Sequence, residues 1–269
     1  MNLIDIHCHI NHEYFRNEVE EVLKRAEKAG LKAIFLSGVN PENNREVLQW
    51  SKKYSLLKAS LGIYPIDALG MEPDETGLPV HKGAIDLEEE FKFMEKNLKD
   101  IIAIGEVGLD FHWADKEKTY SQQAENFRRI IRFAKKVKKP LIIHSRRAEK
   151  ECLDILEEEI KNKEIPVNLH CFSGKKSQIK RAAELGYYFS VPPNIVKAQN
   201  FQVLVEMVPL TQLFTETDSP WLSPYPDRKN EPAFVMESLK KIAEIKNLSV
   251  EETADVIWKN YQKVFAKGK

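Results

Sequence analysis

The segment Asp5-Ile6-His7-Cys8-His9 places two imidazoles two residues apart at the end of a short apolar run. In a β-strand successive side chains alternate between faces, so His7 and His9 would share one face and Cys8 would point away. Two imidazoles on one face can grip a divalent ion. A lone His-x-His is common by chance and needs company. Glu106, His144, His170 and Asp218 supply it, each close behind another short apolar run. Neutral imidazole suits zinc or manganese, and carboxylates suit magnesium or manganese. Four His and two carboxylates exceed what one tetrahedral ion needs; two ions sharing a bridging carboxylate accommodate the surplus. Two-metal sites stabilise the attacking and leaving oxygens of a displacement and lower the pKa of bound water. The chemistry implied is metal-dependent hydrolysis.

The elements that must position these residues are legible as apolar runs. Candidate strands are Leu3 to Ile6, Ala33 to Ser37, Ala59 to Gly62, Ile101 to Gly105, Leu141 to Ile143, Val167 to Leu169, Tyr188 to Val191 and Leu213 to Thr215. Amphipathic helical patterns lie between them, among them Asn17 to Ala29, Tyr120 to Val137 and Lys150 to Lys161. Strand–helix–strand alternation indicates parallel pairing with crossover helices. Eight such units predict an α/β protein, a single (β/α)8 TIM barrel, in which the active site assembles at the C-terminal ends of the strands. All six candidate ligands fall there. The Gly- and Pro-rich connection from Ile66 to Gly83 follows the third strand and is placed to cover the site. Two further helical segments, Ala233 to Ile245 and Val250 to Phe265, extend beyond the eighth strand. With no linker or low-complexity stretch, residues 1–269 read as one domain, a size that suits the fold.

Lys plus Arg and Asp plus Glu balance at 41 each, for a formal net charge of zero. That argues against a nucleic-acid coating protein, which would be basic. It leaves room for a nucleic-acid-processing enzyme with a local basic rim and bound metal. Cys8, Cys152 and Cys171 are too few and scattered for a disulfide framework or a cysteine-rich zinc motif. Their odd number, and an N-terminal apolar run interrupted by Asp5 and His7, point to a cytoplasmic protein without a signal peptide. No stretch approaches the roughly 20 apolar residues that span a bilayer.

Taken together with Gly105-Glu106-Val107-Gly108-Leu109-Asp110, His144-Ser145-Arg146, His170-Cys171-Phe172-Ser173-Gly174, Glu216-Thr217-Asp218-Ser219-Pro220-Trp221-Leu222 and Arg228-Lys229-Asn230-Glu231-Pro232, the chain resembles the TatD-family metal-dependent deoxyribonucleases, within the wider amidohydrolase-like barrels. The resemblance runs from Ile4 to Phe265. It implies that His7, His9, Glu106 and Asp218 hold one ion, and that Glu106 bridges to a second completed by His144 and His170. Asp218 would also orient the attacking water and take its proton. Arg146 matches a position suited to a substrate phosphate, which a guanidinium can bind bidentately. Glu216, on the same strand face as Asp218, would support the ligands. Two departures stand out. The family usually reads Gly-x-His-Pro after the third strand, whereas this chain has Gly62-Ile63-Tyr64-Pro65, so Tyr64 either donates to a phosphate or packs. Arg147 stands where an acidic or small residue is more usual.

Other residues read more plainly. His12, His81 and His112 belong to the surface or loops, with His112 also near enough to Glu106 in sequence to meet substrate. The cluster Lys135-Lys136-Val137-Lys138-Lys139 ends a helix, where cations oppose the negative end of the dipole. Trp113 and Trp221 follow ligand-bearing strands and could stack on a base. The leading expectation is hydrolysis of DNA phosphodiester bonds by an exonuclease using two divalent ions, Mg, Mn or Zn. The alternative is a deacylase or esterase acting on a small-molecule or aminoacyl substrate, since this fold hosts many chemistries. A silent binding scaffold would show a broken ligand set, and all six positions are present. The position of a carboxylated Lys in related lactonases is held by Glu106, and the Asp-x-His ending of three-metal phosphomonoesterases is replaced by Asp218-Ser219-Pro220.

Overall fold

The computed structural model describes residues 1–71 and 77–266. Within them β1 (Leu3–Cys8), α1 (Val19–Ala29), β2 (Leu31–Ser37), α2 (Pro41–Lys53), β3 (Leu57–Ile63), α3 (Pro65–Ala68), α4 (Leu87–Lys96) and β4 (Ile101–Gly108) come first. There follow α5 (Lys116–Val137), β5 (Leu141–His144), α6 (Glu149–Glu159), β6 (Val167–Leu169), α7 (Lys176–Glu184), β7 (Tyr188–Val191), α8 (Gln199–Met207) and β8 (Leu213–Thr215). The chain continues into α9 (Val235–Lys246) and α10 (Val250–Phe265). Strand order in the sheet is chain order, β1 to β8, and each described pairing is parallel. This is the topology of the (β/α)8 barrel class expected from the alternating pattern. Strands such as β1, β5 and β8 are buried throughout, which explains why they read as continuous Val, Ile and Leu runs rather than alternating ones.

The chain divides into two compact units, Met1–Leu36 with His170–Lys269, and Ser37–Leu169. In the first, β8 meets β1 through the Thr215 hydroxyl, which donates to the Ile4 carbonyl at 2.6 Å. The two helices beyond β8 cover this part of the sheet. On α10, Asn260 donates to the carbonyls of Leu210 and Leu213, both at 2.9 Å, and Phe265 packs against Phe35 and Phe214. A capping box between Ser249 and Glu252 starts α10. On α1, Arg25 grips the Glu231 carboxylate through Nε and Nη2 at 2.6 to 3.0 Å. That clamp anchors the Arg228-to-Pro232 segment, so Glu231 has a structural partner there.

In the second unit β3 to β6 are neighbours. Two glycines let their backbones close up. A Cβ on Gly62 would lie 2.2 Å from the Glu106 nitrogen, and one on Gly108, at φ +150°, would lie 1.9 Å from the His144 carbonyl oxygen. Phe91 of α4 stacks on Phe133 of α5 with centroids 4.4 Å apart. The lysine cluster ending α5 is engaged within the unit: Lys136 pairs with Glu95, Lys135 with Glu164, and Lys139 donates to the Ile101 carbonyl. Ile101 begins β4, so Lys139 lies at the opposite end of that strand from Glu106.

Element ends differ from the sequence pattern in ways that bear on the site. β4 runs through Gly108, so Glu106 lies inside the strand rather than after it. β1 runs to Cys8 and includes His7. α5 begins four residues before Tyr120 because Asp115 caps it, accepting from the amides of Glu117 and Lys118, ahead of any apolar periodicity. The connection read as irregular from Ile66 starts inside the short helix α3. Its residues 72–76, on which the expected cover falls, lie outside those described.

Asp67 of α3 accepts from Asn40 Nδ2 at 2.7 Å and is almost fully buried; burial raises its pKa to about 6, an effect only partly offset by that hydrogen bond. Between about pH 4 and 6 the unfolded chain has released this proton while the folded chain retains it. Stability therefore falls as pH rises through that window. Relative to Asp67→Asn, the wild type should lose about 2 kcal/mol between pH 4 and pH 7, read by urea unfolding at each pH. Gly108→Ala should cost on the order of 3 kcal/mol through combined backbone strain and overpacking. The same urea measurement, at fixed pH, checks it.

Candidate metal centre

Within the first unit, β1 delivers His7 and the residues after it deliver His9, both buried. Their Nε2 atoms lie 3.1 Å apart, and Asp218 Oδ1 lies 3.5 Å from one and 3.6 Å from the other. Three ligands about 2.1 Å from one tetrahedral ion would be about 3.4 Å from each other. The donor triangle thus fits a divalent ion, and two neutral imidazoles with one carboxylate make a suitable donor set.

The backbone explains why Asp218 reaches this position. The amides of Thr217 and Asp218 both donate to the His7 carbonyl, at 3.3 and 2.8 Å, and the His9 amide donates to the Ser219 carbonyl. Asp218 adopts the left-handed conformation, φ 54°, which Asp tolerates better than most residues. Asp5 pins the junction from beneath. Its carboxylate accepts from the His7 amide, the Thr217 amide and the Thr217 hydroxyl, at 3.2, 2.9 and 2.5 Å. Complete burial pushes the Asp5 carboxyl well above its usual range, against the pull of these hydrogen bonds.

His170 lies parallel to His7, ring centroids 3.8 Å apart. Its Nδ1 is 3.0 Å from Glu216 Oε2, which directs the proton to Nδ1 and leaves Nε2 as a donor for an ion. Glu216 is held in turn by the Ser190 hydroxyl at 2.7 Å and the Cys171 amide at 2.8 Å. Burial works to raise the Glu216 pKa, but the charge and hydrogen bond of His170 bring it below its ordinary value.

Within the second unit, His144 stands between two carboxylates, with Nδ1 2.8 Å from Glu106 Oε1 and Nε2 2.8 Å from Asp110 Oδ2. Burial would depress the imidazole pKa, but the hydrogen bonds and charges of Asp110 and Glu106 outweigh it and raise the value. Two carboxylates around one imidazole leave a deficit of positive charge that suits a cation. Asp110 also accepts from the Tyr64 hydroxyl at 2.7 Å and from the amides of His112 and Trp113. Burial acts against ionisation of Asp110, yet these partners lower its pKa to about 2.

Tyr64 is thus hydrogen-bonded to the carboxylate that holds His144. Burial, with Asp110 next, raises its pKa well above the phenolic value, so the hydroxyl remains a donor. Arg146 is exposed, its guanidinium 5.5 Å from the Trp113 ring. Arg147 is also exposed, at φ 57°. His12 caps the turn at Glu13, His81 pairs with Glu42, and the His112 ring rests on Trp113.

Two residues carry more than the sequence reading assigned. Asp5 and Asp110 were visible only as letters within motifs. Asp5 shares strand parity with His7, the one available signal; Asp110 lies beyond β4 and is brought to His144 by a turn that sequence spacing does not encode.

A model of the family described as TatD related DNase matches residues 4–266. The chain belongs to that family. The human deoxyribonuclease TATDN3 is 33% identical to it over 99% of this chain and 96% of the relative. An uncharacterised metal-dependent hydrolase of Methanocaldococcus jannaschii is 32% identical over 98% and 97%. The crystal structure of YjjV, a TatD homologue of Escherichia coli, superposes with a TM-score of 0.85 at 26% identity, covering 99% of this chain and 98% of that one. A TatD-family hydrolase of Entamoeba histolytica gives 0.83 at 19% identity over 98% and 97%, a likeness of fold. This TatD-family protein is therefore a metal-dependent hydrolase, with His and carboxylate clusters compatible with metal binding. Among the described residues no helix is long and apolar enough to cross a membrane.

Glu216 touches Nδ1 of His170, so an ion held by His170 would feel the carboxylate through that ring. Glu216→Gln should lower Mn2+ affinity about ten- to a hundredfold by titration calorimetry, in line with other carboxylate–histidine–metal supports. An unchanged affinity would show that Glu216 serves packing only.

Proposed function

We propose that this chain is a deoxyribonuclease, an exonuclease hydrolysing DNA phosphodiester bonds, with residues 1–269 acting as one catalytic domain and two divalent ions, Mg, Mn or Zn, as cofactors. The observation that carries the reading is the triangle of His7 Nε2, His9 Nε2 and Asp218 Oδ1, sized for an ion in a chain of the TatD-related DNase family. In this reading His7, His9, Glu106 and Asp218 would hold one ion, and Glu106, His144 and His170 would hold a second. Bound divalent ions would supply Lewis acidity at the phosphate and at water.

The chain's own groups do the rest. Glu216 and Asp110 fix the tautomers of His170 and His144, so that Nε2 of the former and Nδ1 of the latter offer lone pairs. Asp218, whose side chain keeps 18% of its exposure, takes a proton from the attacking water. Arg146, exposed in the second unit, binds a non-bridging phosphate oxygen; Tyr64 either contacts that phosphate or supports Asp110, to which its hydroxyl is bonded. The three free cysteines support a cytoplasmic setting.

The test is to incubate metal-loaded protein with 3′- or 5′-labelled single- and double-stranded DNA, alongside a panel of esters and amides. Nucleotide release should disappear with chelator and fall at least a thousandfold in Glu106→Gln and Asp218→Asn, on the order of magnitude expected for loss of a principal catalytic group. Inert DNA beside rapid acyl hydrolysis would overturn the nuclease reading in favour of a deacylase.

A further inference from the structure

Trp221, Tyr14 and Tyr225 leave 38%, 49% and 38% of their surfaces exposed. Single exposed aromatics are ordinary, but these three belong to one connected strip within the first unit. The Trp221 ring meets His9 and His12 edge-on, at 5.4 and 5.5 Å. His12 Nδ1 accepts from the Tyr14 amide and so joins Trp221 to Tyr14. Lys229 Nζ lies 5.9 Å from the Tyr14 ring, and the Arg228 guanidinium lies 5.7 Å from Tyr225 and 4.9 Å from Phe234.

The strip begins at the metal-binding triangle. The Trp221 amide donates to the Asp218 carbonyl at 3.0 Å, and the ring's neighbour His9 is one corner of the triangle. Its frame is firm: Asn230 donates to the Thr217 carbonyl at 2.6 Å and to the Pro220 carbonyl at 3.1 Å, next to the Arg25–Glu231 clamp. Exposed rings on a braced frame, with Lys229 beside Tyr14 and Arg228 beside Tyr225, offer flat apolar faces together with positive charge.

We propose that Trp221, Tyr14 and Tyr225, with Lys229 and Arg228, form a stacking platform for the bases of a single-stranded length of DNA leading to the metal centre. Base faces are available to aromatic side chains only where the nucleic acid is unstacked, and such stacking tolerates any sequence. The two cations meet the phosphates between bases, a local attraction that a chain of zero net charge must supply from particular residues. Aromatic rings and arginine also anchor protein interfaces, but this strip runs from the His9 and Asp218 corner outward, which suits a strand that continues into that site.

This inference rests on the nuclease reading, so its test measures binding rather than cleavage. Metal-loaded full-length protein is titrated into fluorescein-labelled, phosphorothioate-linked dT12, the same oligomer with abasic sites throughout, and a blunt duplex, with anisotropy as readout. The dT12 should bind at least tenfold tighter than the abasic strand and the duplex. Trp221→Ala and Tyr14→Ala should each weaken dT12 binding about tenfold, with Trp221→Phe restoring most of the loss. Lys229→Gln should weaken dT12 and abasic strand alike and flatten the salt dependence. Equal binding of dT12 and its abasic form, or wild-type affinity in both aromatic-to-Ala variants, would overturn the platform. Base-dependent binding without cleavage of ordinary DNA would leave the platform standing and remove the nuclease reading; cleavage without base-dependent binding would do the reverse.

Discussion

Ionisable groups withdrawn from water at the ends of strands are the constraint on which the rest of this structure depends. Asp5, His7, His9, His170 and Glu216 are each 5% exposed or less, and burial of such groups is costly unless they are hydrogen-bonded or paired. Carboxylates brace two of the candidate imidazoles: Glu216 meets Nδ1 of His170, and Asp110 meets Nε2 of His144, whose Nδ1 faces Glu106. Asp5 works differently, holding backbone and hydroxyl groups so that β1 and the Asp218 turn keep their register. The same contacts that make burial tolerable also fix the direction of the donor lone pairs. Stability and ligand geometry are thus set by one network in each unit.

The backbone had to be shaped before those side chains could converge. Gly62 and Gly108 lack the Cβ that would clash with the main chain at Glu106 and His144. Asp218 reaches its place from a left-handed turn stapled to the His7 carbonyl. Such positions are unfavourable in isolation and persist because the surroundings over-determine them. The departure at Tyr64 fits this pattern. Its hydroxyl adds a donor to Asp110, which already restrains His144, so the substitution contributes to bracing through a neighbour.

Electrostatics are partitioned along the same lines. The balance of 41 basic and 41 acidic residues leaves no net charge to attract an anionic polymer. Much of the lysine and arginine is engaged in surface pairs such as Lys136–Glu95 and Arg132–Glu159, worth little individually. Local arrangements of cations stand apart from these pairs: exposed Arg146 in one unit, and Arg228 and Lys229 beside aromatic rings in the other.

Composition and order of residues alone determined the repeating strand–helix architecture, because buried parallel strands must be continuously apolar and crossover helices amphipathic. They also showed the types of the candidate ligands and their places close to the apolar runs, since a His-x-His near one run and acids near later ones are visible as letters. The reading missed the length of β4, which carries Glu106 inside the strand, and the roles of Asp5 and Asp110. Only the tertiary structure decided those, together with the partner of Tyr64, the Arg25–Glu231 clamp and the strip that joins Tyr14 to Trp221. The physical reason is separation along the chain: Arg25 and Glu231 are 206 positions apart, and Asp5 and Thr217 are 212 apart. Hydrogen bonds of that reach depend on how strands are registered and turns are closed, which local propensity and period do not specify.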